Sequence, residues 1–288
     1  MNLKVSESST LFDFLMAKIG TASKTTVSKM IKSGRVEVNG HQILKKEFSL
    51  RPNDSIEIKK TAKIELPKFP IIYEDDSIIV AEKPAGLLTI STGKTDSPTF
   101  FRMVSDYIKS SNPKSRLFIV HRLDREVSGA IVFAKSEEIK DKLQEDWPNF
   151  EKRYIALVEG RMREKTGRIE NFLLENKAMV VYVADKNAAS AKKAITNYSV
   201  IQESAKFSLV TIKIETGRKN QIRVHMSHLG HPIVGDKKYN SEINPFKRIA
   251  LHSAYLCINH PITNKKMIFE SKAPIEFFNY AKNIVEQE

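Results

Sequence analysis

The stretch "FIVHRLDREVSGAIVFAKS", residues 118–136, sets His121, Arg122, Asp124, Arg125 and Glu126 between two apolar runs that each read as buried strand. Such a segment is either a solvated turn or an active-site loop. An aspartate flanked by Arg122 and Arg125 is favoured as the anion, because opposite charges nearby stabilise it. An anionic carboxylate there can serve as a nucleophile or as a base. A second turn has the same construction: "IETGRKNQIRVHMSHLGHP" runs from a strand through Thr216, Gly217 and Arg218 into a helix starting near Asn220. If the two strands are neighbours, Arg218 projects beside Asp124, and that pairing is the expectation.

Other chemistries fit the residues less well. His225, His228 and His231 recur at three-residue spacing, but Gly230 and Pro232 bracket the third and break the helix, and no carboxylate or second cysteine completes a ligand set. No metal site is expected. "HRLD" has the wrong order for a kinase catalytic loop, and the chain has neither a Gly-rich phosphate loop nor Asp-Phe-Gly. Serine chemistry lacks its G-x-S-x-G elbow. Asp124 remains.

The elements that must hold these loops follow from composition and period. With 288 residues, 41% of them hydrophobic, the chain can build two domains, each with a core. A formal charge of +13 favours a polyanionic partner, nucleic acid above all. The single cysteine, Cys257, rules out an internal disulfide and fits a reducing cytoplasm. No signal-peptide core and no run of about 18 apolar residues occur, so a soluble cytoplasmic protein is expected, monomeric by default.

In the first 60 residues, Leu11, Phe12, Leu15 and Ile19 recur at helical spacing up to Gly20; Ser23 suits an N-cap and Gly34 a stop for a second helix. Val36 and Val38 then alternate with Glu37, and Asn39-Gly40 signals a hairpin turn. On the second helix Lys24, Ser28, Lys32 and Arg35 share one stripe, with Val27, Met30 and Ile31 on another side. From Phe14 to Val36 there are five basic residues and no acidic one, so Lys24, Lys32 and Arg35 are expected to contact phosphates. Residues 61–71 combine basic residues with two prolines and read as a linker. Beyond it strands dominate and helices are inserted irregularly, which indicates an α+β domain over 72–288 with a mixed, largely antiparallel sheet.

Two resemblances sharpen this reading. "SGRVEVNG" and "RPNDSIEI" with the helix pair make residues 8–58 similar to the small S-four-like RNA-binding domain. "EKPAGLL", "HRLDREVSG", "KRYIALVEG", "TGRKNQIRVH" with "LGHPIVGD", and "RIALHSAYL" together resemble, in order, the motifs of RluA-type pseudouridine synthases. The resemblance implies that Asp124 is the catalytic aspartate, Tyr154 the aromatic that stacks on the target base, Arg218 the partner of the aspartate and Arg122 the arginine that helps displace the base. Lys83 and His121 join Arg122 as expected substrate-binding residues. Val127, Asn220 and "LLTIST" depart from the family's usual threonine and histidines. The reaction implied is isomerisation of uridine in structured RNA, ribosomal RNA favoured over transfer RNA, with no cofactor. A non-catalytic RNA-binding protein and a uracil-releasing glycosylase are the competing classes.

Overall fold

The computed structural model describes residues 2–20, 22–59, 69–91, 98–111 and 114–282, and the chain divides into two units, Met1–Leu66 and Pro67–Glu288. The linker expected over 61–71 lies, up to residue 68, outside the described residues.

In the first unit the helices begin where capping chemistry directs. The Thr10 side chain accepts the Asp13 N–H at 3.1 Å at the head of α1 (Leu11–Lys18), and Ser23 accepts the Thr26 N–H at 3.2 Å at the head of α2 (Lys24–Lys32). Six short strands follow the chain: β1 (Asn2–Lys4), β2 (Ser9–Thr10), β3 (Val36–Val38), β4 (His41–Gln42), β5 (Ser49–Leu50) and β6 (Ser55–Ile58). They form a sheet of order β1-β6-β3-β4 and a separate β2-β5 pair. Asn39 and Gly40, both with positive φ (52° and 81°), make the tight β3-β4 turn. Leu11, Leu15, Val27, Ile31 and Ile56 are fully buried between helices and sheet.

The second unit contains β7 (Ile71–Glu74), β8 (Ile78–Lys83), α3 (Phe100–Ser111), β9 (Phe118–Ile119), β10 (Ser128–Ala134), α4 (Glu137–Asp146), β11 (Glu151–Glu159), β12 (Thr166–Glu175), β13 (Val181–Ala184), β14 (Lys192–Glu203), β15 (Phe207–Ile214), α5 (Gln221–His228), β16 (Leu251–Asn259), β17 (Lys266–Glu270) and α6 (Ile275–Lys282). The main path through its sheet is β13-β12-β14-β15-β11-β16-β10-β8-β7, with β9 on β10 and β17 on β16. Among the described strands only β10 and β16 pair in parallel, so the sheet is mixed and largely antiparallel.

The strand that leaves the HRLD loop is buried on both faces. On one side of β10, Ile131 and Phe133 pack with Ile79, Phe100 and Val104; on the other, Ala130 and Val132 pack with Ile78, Val80, Ile139 and Leu143. Helices α3 and α4 thus cover opposite faces. Removing the fully buried Ile131 side chain to alanine would cost about 2–5 kcal/mol. At the mouth of β10, Gly129 has φ +113° and lies so close to the Ser253 backbone that any Cβ would collide with it. That close approach fixes where the loop joins the sheet. Strands β7, β12 and β14 and helix α3 were not expected from the sequence; β12 and β14 carry alternating exposed charges that dilute their apolar signal.

Candidate active site

The HRLD loop is fastened from several directions. His121 Nε2 accepts the Val132 N–H at 3.1 Å, and its ring stacks on Trp147 at 4.2 Å. Burial, aided by the Lys152 charge, pushes the imidazole down to about 3, so it is neutral at physiological pH. Thr89 Oγ1 donates to the Leu123 carbonyl at 2.7 Å and accepts the Leu123 N–H at 3.2 Å. Lys83 is fully buried, and its ammonium donates to the carbonyls of Pro84 (2.8 Å), Leu87 (2.6 Å) and Arg125 (3.1 Å). Burial lowers that lysine to about 8. Arg125 Nε reaches back to the Gly86 carbonyl at 3.0 Å.

These bonds correct the expectation for Lys83 and show how His121 is held. Lys83 was expected to bind substrate, yet a lysine has three donors and all three are spent on carbonyls that tie "EKPAGLL" to the HRLD loop. His121 contributes a ring face to the cavity wall, but its acceptor nitrogen is committed to β10. Both residues position the loop.

Asp124 lies half-buried on a cavity of about 340 Å³, which Arg122, Tyr154, Ile214, Arg218 and Leu251 also line. This is the scale of a small-ligand site. Arg223 is the cation that holds the aspartate: its Nη1 donates to Asp124 Oδ2 at 3.2 Å and to Asn220 Oδ1 at 3.0 Å. The rest of its guanidinium forms a two-pronged pair with the buried Asp236, Nε to Oδ2 at 2.7 Å and Nη2 to Oδ1 at 2.8 Å. Arg218 therefore does not pair with Asp124 as expected. It is exposed in the loop before α5, where its Nε donates to the Lys193 carbonyl at 3.0 Å. The reason is local: Asn220 takes a left-handed conformation (φ 54°), α5 starts after it, and Arg223 in the first turn faces inward.

Tyr154 stands on β11, opposite Ile212 of β15. Burial, and secondarily the Asp124 charge, push its phenol up to about 12 against a hydrogen bond with Ser253 that acts the other way. The hydroxyl keeps its proton at neutral pH. Arg122 is exposed at the cavity.

The three spaced histidines diverge. His225 Nε2 pairs with Asn171 Oδ1 at 2.8 Å, the His231 ring donates from Nδ1 to the Glu159 carbonyl at 2.9 Å, and His228 is exposed. Among the described residues no three His, Cys, Asp or Glu side chains come together as metal ligands do. In the first unit, Lys24, Lys29 and Lys32 of α2 are exposed, whereas Arg35 is half-buried with its Nε bonded to the Lys59 carbonyl at 2.9 Å. No helix of the described residues is long and apolar enough to cross a membrane.

A model of the RNA pseudouridylate synthase family matches residues 77–228, which contain Asp124, Tyr154 and Arg223. The chain belongs to that family. It is similar along most of its length to an uncharacterized RNA pseudouridine synthase of Mycoplasma genitalium, 32% identical over 92% of this chain and 88% of that one. It is 29% identical to ribosomal large subunit pseudouridine synthase D of Vibrio parahaemolyticus, over 88% of this chain and 83% of that one. Human RNA pseudouridylate synthase domain containing 4 shares the fold with a TM-score of 0.61 at 22% identity, covering 72% of this chain and 90% of that one. As a member of the RluA-type pseudouridine synthases, the chain is an isomerase that converts uridine in RNA to pseudouridine.

Sequence reasoning did not find Arg223, Asp236, Thr89 or Lys152. Arg223 and Asp236 sit inside the motifs "QIRVH" and "IVGD", so the signal was present. Choosing between Arg218 and Arg223 required knowing where α5 begins.

Proposed function

We propose that this synthase isomerises uridines of ribosomal RNA at the cavity beside Asp124. The carrying observation is one carboxylate, half-buried and held by Arg223, on a cavity that a neutral tyrosine also lines. In the reaction the bond from ribose C1′ to uracil N1 breaks, the base turns, and C1′ bonds to C5. A base inside a duplex is out of reach, so it is flipped out at a cost of a few kcal/mol. Stacking on Tyr154 offsets part of this, about 1–3 kcal/mol. Asp124 either attacks C1′ or removes a ribose proton; the Arg223 bond engages Oδ2 and leaves the other oxygen outside that pair. Arg122, exposed at the cavity, assists displacement of the base.

The large-subunit name of the Vibrio relative supports ribosomal RNA as the substrate. In the first unit the exposed Lys24 and Lys32, with Lys29, support an accessory grip on the RNA backbone, in keeping with its S-four-like sequence. A cytoplasmic location follows from such a substrate. The test is to map pseudouridines in total RNA from cells with and without the gene, and from cells carrying Asp124→Asn. The expected result is loss of the same ribosomal positions in both. Removing a catalytic nucleophile costs on the order of 10⁴–10⁶ in rate, so the variant should bind RNA yet release essentially no tritium from 5-tritiated uridine. Turnover within about tenfold of the unaltered enzyme would refute the assignment of Asp124.

A further inference from the structure

One wall of the active-site cavity holds a charge that the chemistry above does not use. Lys152 stands two residues before Tyr154 on β11, opposite Ile214 where Tyr154 is opposite Ile212, so both side chains project from the same face of the sheet. Their Cα atoms are about 7 Å apart along the strand. Lys152 is only 7% exposed, yet it lines the cavity together with His121 and Trp147. Its ammonium donates to the Trp147 carbonyl at 2.7 Å and lies 5.4 Å from the centre of the Trp147 ring.

No ion pair joins Lys152 to any carboxylate among the described residues, and burial alone accounts for its lowering to about 8. Its acidic chain neighbour, Glu151, pairs instead with Arg153 and Lys213. His121 beside it is neutral, with its acceptor nitrogen turned to β10. A buried, uncompensated ammonium is costly to the fold. It differs in this from Lys83, whose three donors meet three carbonyls. A cation kept without a counterion in a substrate cavity is completed by an anion that arrives with the substrate. RNA offers one such group, its phosphate, and an ammonium is a fitting point-charge partner for it.

We propose that Lys152 is a substrate-binding residue that takes the RNA phosphate adjacent to the flipped uridine, one pleat along β11 from the tyrosine that carries the base. The assignment rests on the reading that Asp124 and Tyr154 form the reaction site. Binding of the phosphate supplies the missing counterion only in the complex, so the lysine favours the docked uridine without a permanent acid to compete for it.

The test uses the full-length enzyme and an RNA hairpin containing a uridine that it modifies in vitro, made with an ordinary phosphate or a neutral methylphosphonate at the linkage on either side of that uridine. With the unaltered enzyme, neutralising one of the two linkages should lower kcat/KM about tenfold, the size of one charge-assisted hydrogen bond. Lys152→Met should fall by about the same factor on the all-phosphate hairpin and become indifferent to methylphosphonate at that linkage. Lys152→Arg should recover the sensitivity. Because Lys152→Met removes an unpaired buried charge and keeps the apolar stem, its melting temperature should be unchanged or higher.

Unchanged kcat/KM in Lys152→Met would overturn the proposal. So would a loss of turnover in which sensitivity to both methylphosphonates persists, since the ammonium would then serve a uracil carbonyl. A lower melting temperature that Lys152→Arg restores, without restored sensitivity, would make the residue structural and would equally overturn it. Failure of the underlying site reading has a separate signature, retained turnover in Asp124→Asn.

Discussion

Arg223→Lys, set beside Arg218→Lys, separates the arginine that the structure pairs with Asp124 from the one that the sequence suggested. In the structure Arg223 makes four N–H bonds, two to Asp236, one to Asp124 and one to Asn220, and Asp236 is 1% exposed. A lysine keeps the charge but not the planar fork, and cannot grip Asp236 with two prongs while reaching Asp124. Removing one partner of a buried pair costs about 3–5 kcal/mol, and retention of the charge places lysine at the low end, about 3 kcal/mol. For a domain of this size each kcal/mol lowers the melting temperature by about 2–4 °C, so a drop of about 6–12 °C is expected. Turnover, measured by tritium release well below the variant's own midpoint, should fall about 10²–10³-fold because the aspartate no longer has its positioned electrostatic partner. Arg218→Lys gives up only an exposed bond to the Lys193 carbonyl and should melt within about 2 °C of the unaltered protein. Its turnover should stay within about tenfold. The reasoning is refuted if Arg218→Lys is inactive while Arg223→Lys turns over normally.

Replacing Lys24, Lys29 and Lys32 together with glutamine should flatten the dependence of RNA affinity on salt, by about 0.7–0.9 in the slope of log K against log salt for each phosphate that is no longer neutralised. An unchanged slope would make the stripe an ordinary solvated face. Acid stability offers a third test, through three imidazoles that burial depresses from 6.5: His121 to about 3, and His225 and His252 to about 4. His252 is held through both ring nitrogens, Nδ1 against Ser128 Oγ at 2.8 Å and Nε2 against the Ser271 carbonyl at 3.2 Å. Below pH 6.5 the unfolded chain binds protons that the folded one refuses. Stability is therefore complete above pH 6.5 and falls as pH drops from there toward 4, by about 1.4 kcal/mol per unit for each histidine. Urea unfolding at about pH 7, 6 and 5 should show this decline. A flat profile would mean that the buried rings are charged.

What could be read from the sequence depended on how one-sided each element is. Strands β8 and β10 were plain because both faces are buried and nearly every residue is apolar. Strands β12 and β14 were not, because ion pairs such as Lys193 with Glu170 cover one face and leave a sparse apolar alternation on the other. Asp124 was conspicuous as an acid among apolar strands. Its partner was not, since Arg218 and Arg223 lie five positions apart and only the left-handed turn at Asn220 decides which faces inward. Lys83 and Lys152 show the limit most clearly. Each is a lysine in or beside a strand near the site, yet one is caged by carbonyls and the other is left without a counterion, and nothing in composition or period distinguishes them.

The parallel pairing of β10 with β16 also makes the loop's seat depend on stretches of chain that are synthesised far apart in time. Ser128, at the end of the HRLD loop, bonds to His252, 124 positions later. At about 5–20 residues per second a ribosome needs about 6–25 s to make that intervening stretch, and only afterwards can β16 emerge and dock. Arg223 and Asp236 also arrive within this interval. Until β16 emerges the nascent chain lacks the strand whose Ser253 backbone packs against Gly129, and in the first part of the interval Asp124 also lacks Arg223. The arrangement around Asp124 is thus assembled from stretches made seconds apart, and it can be complete only after residue 253 has been added.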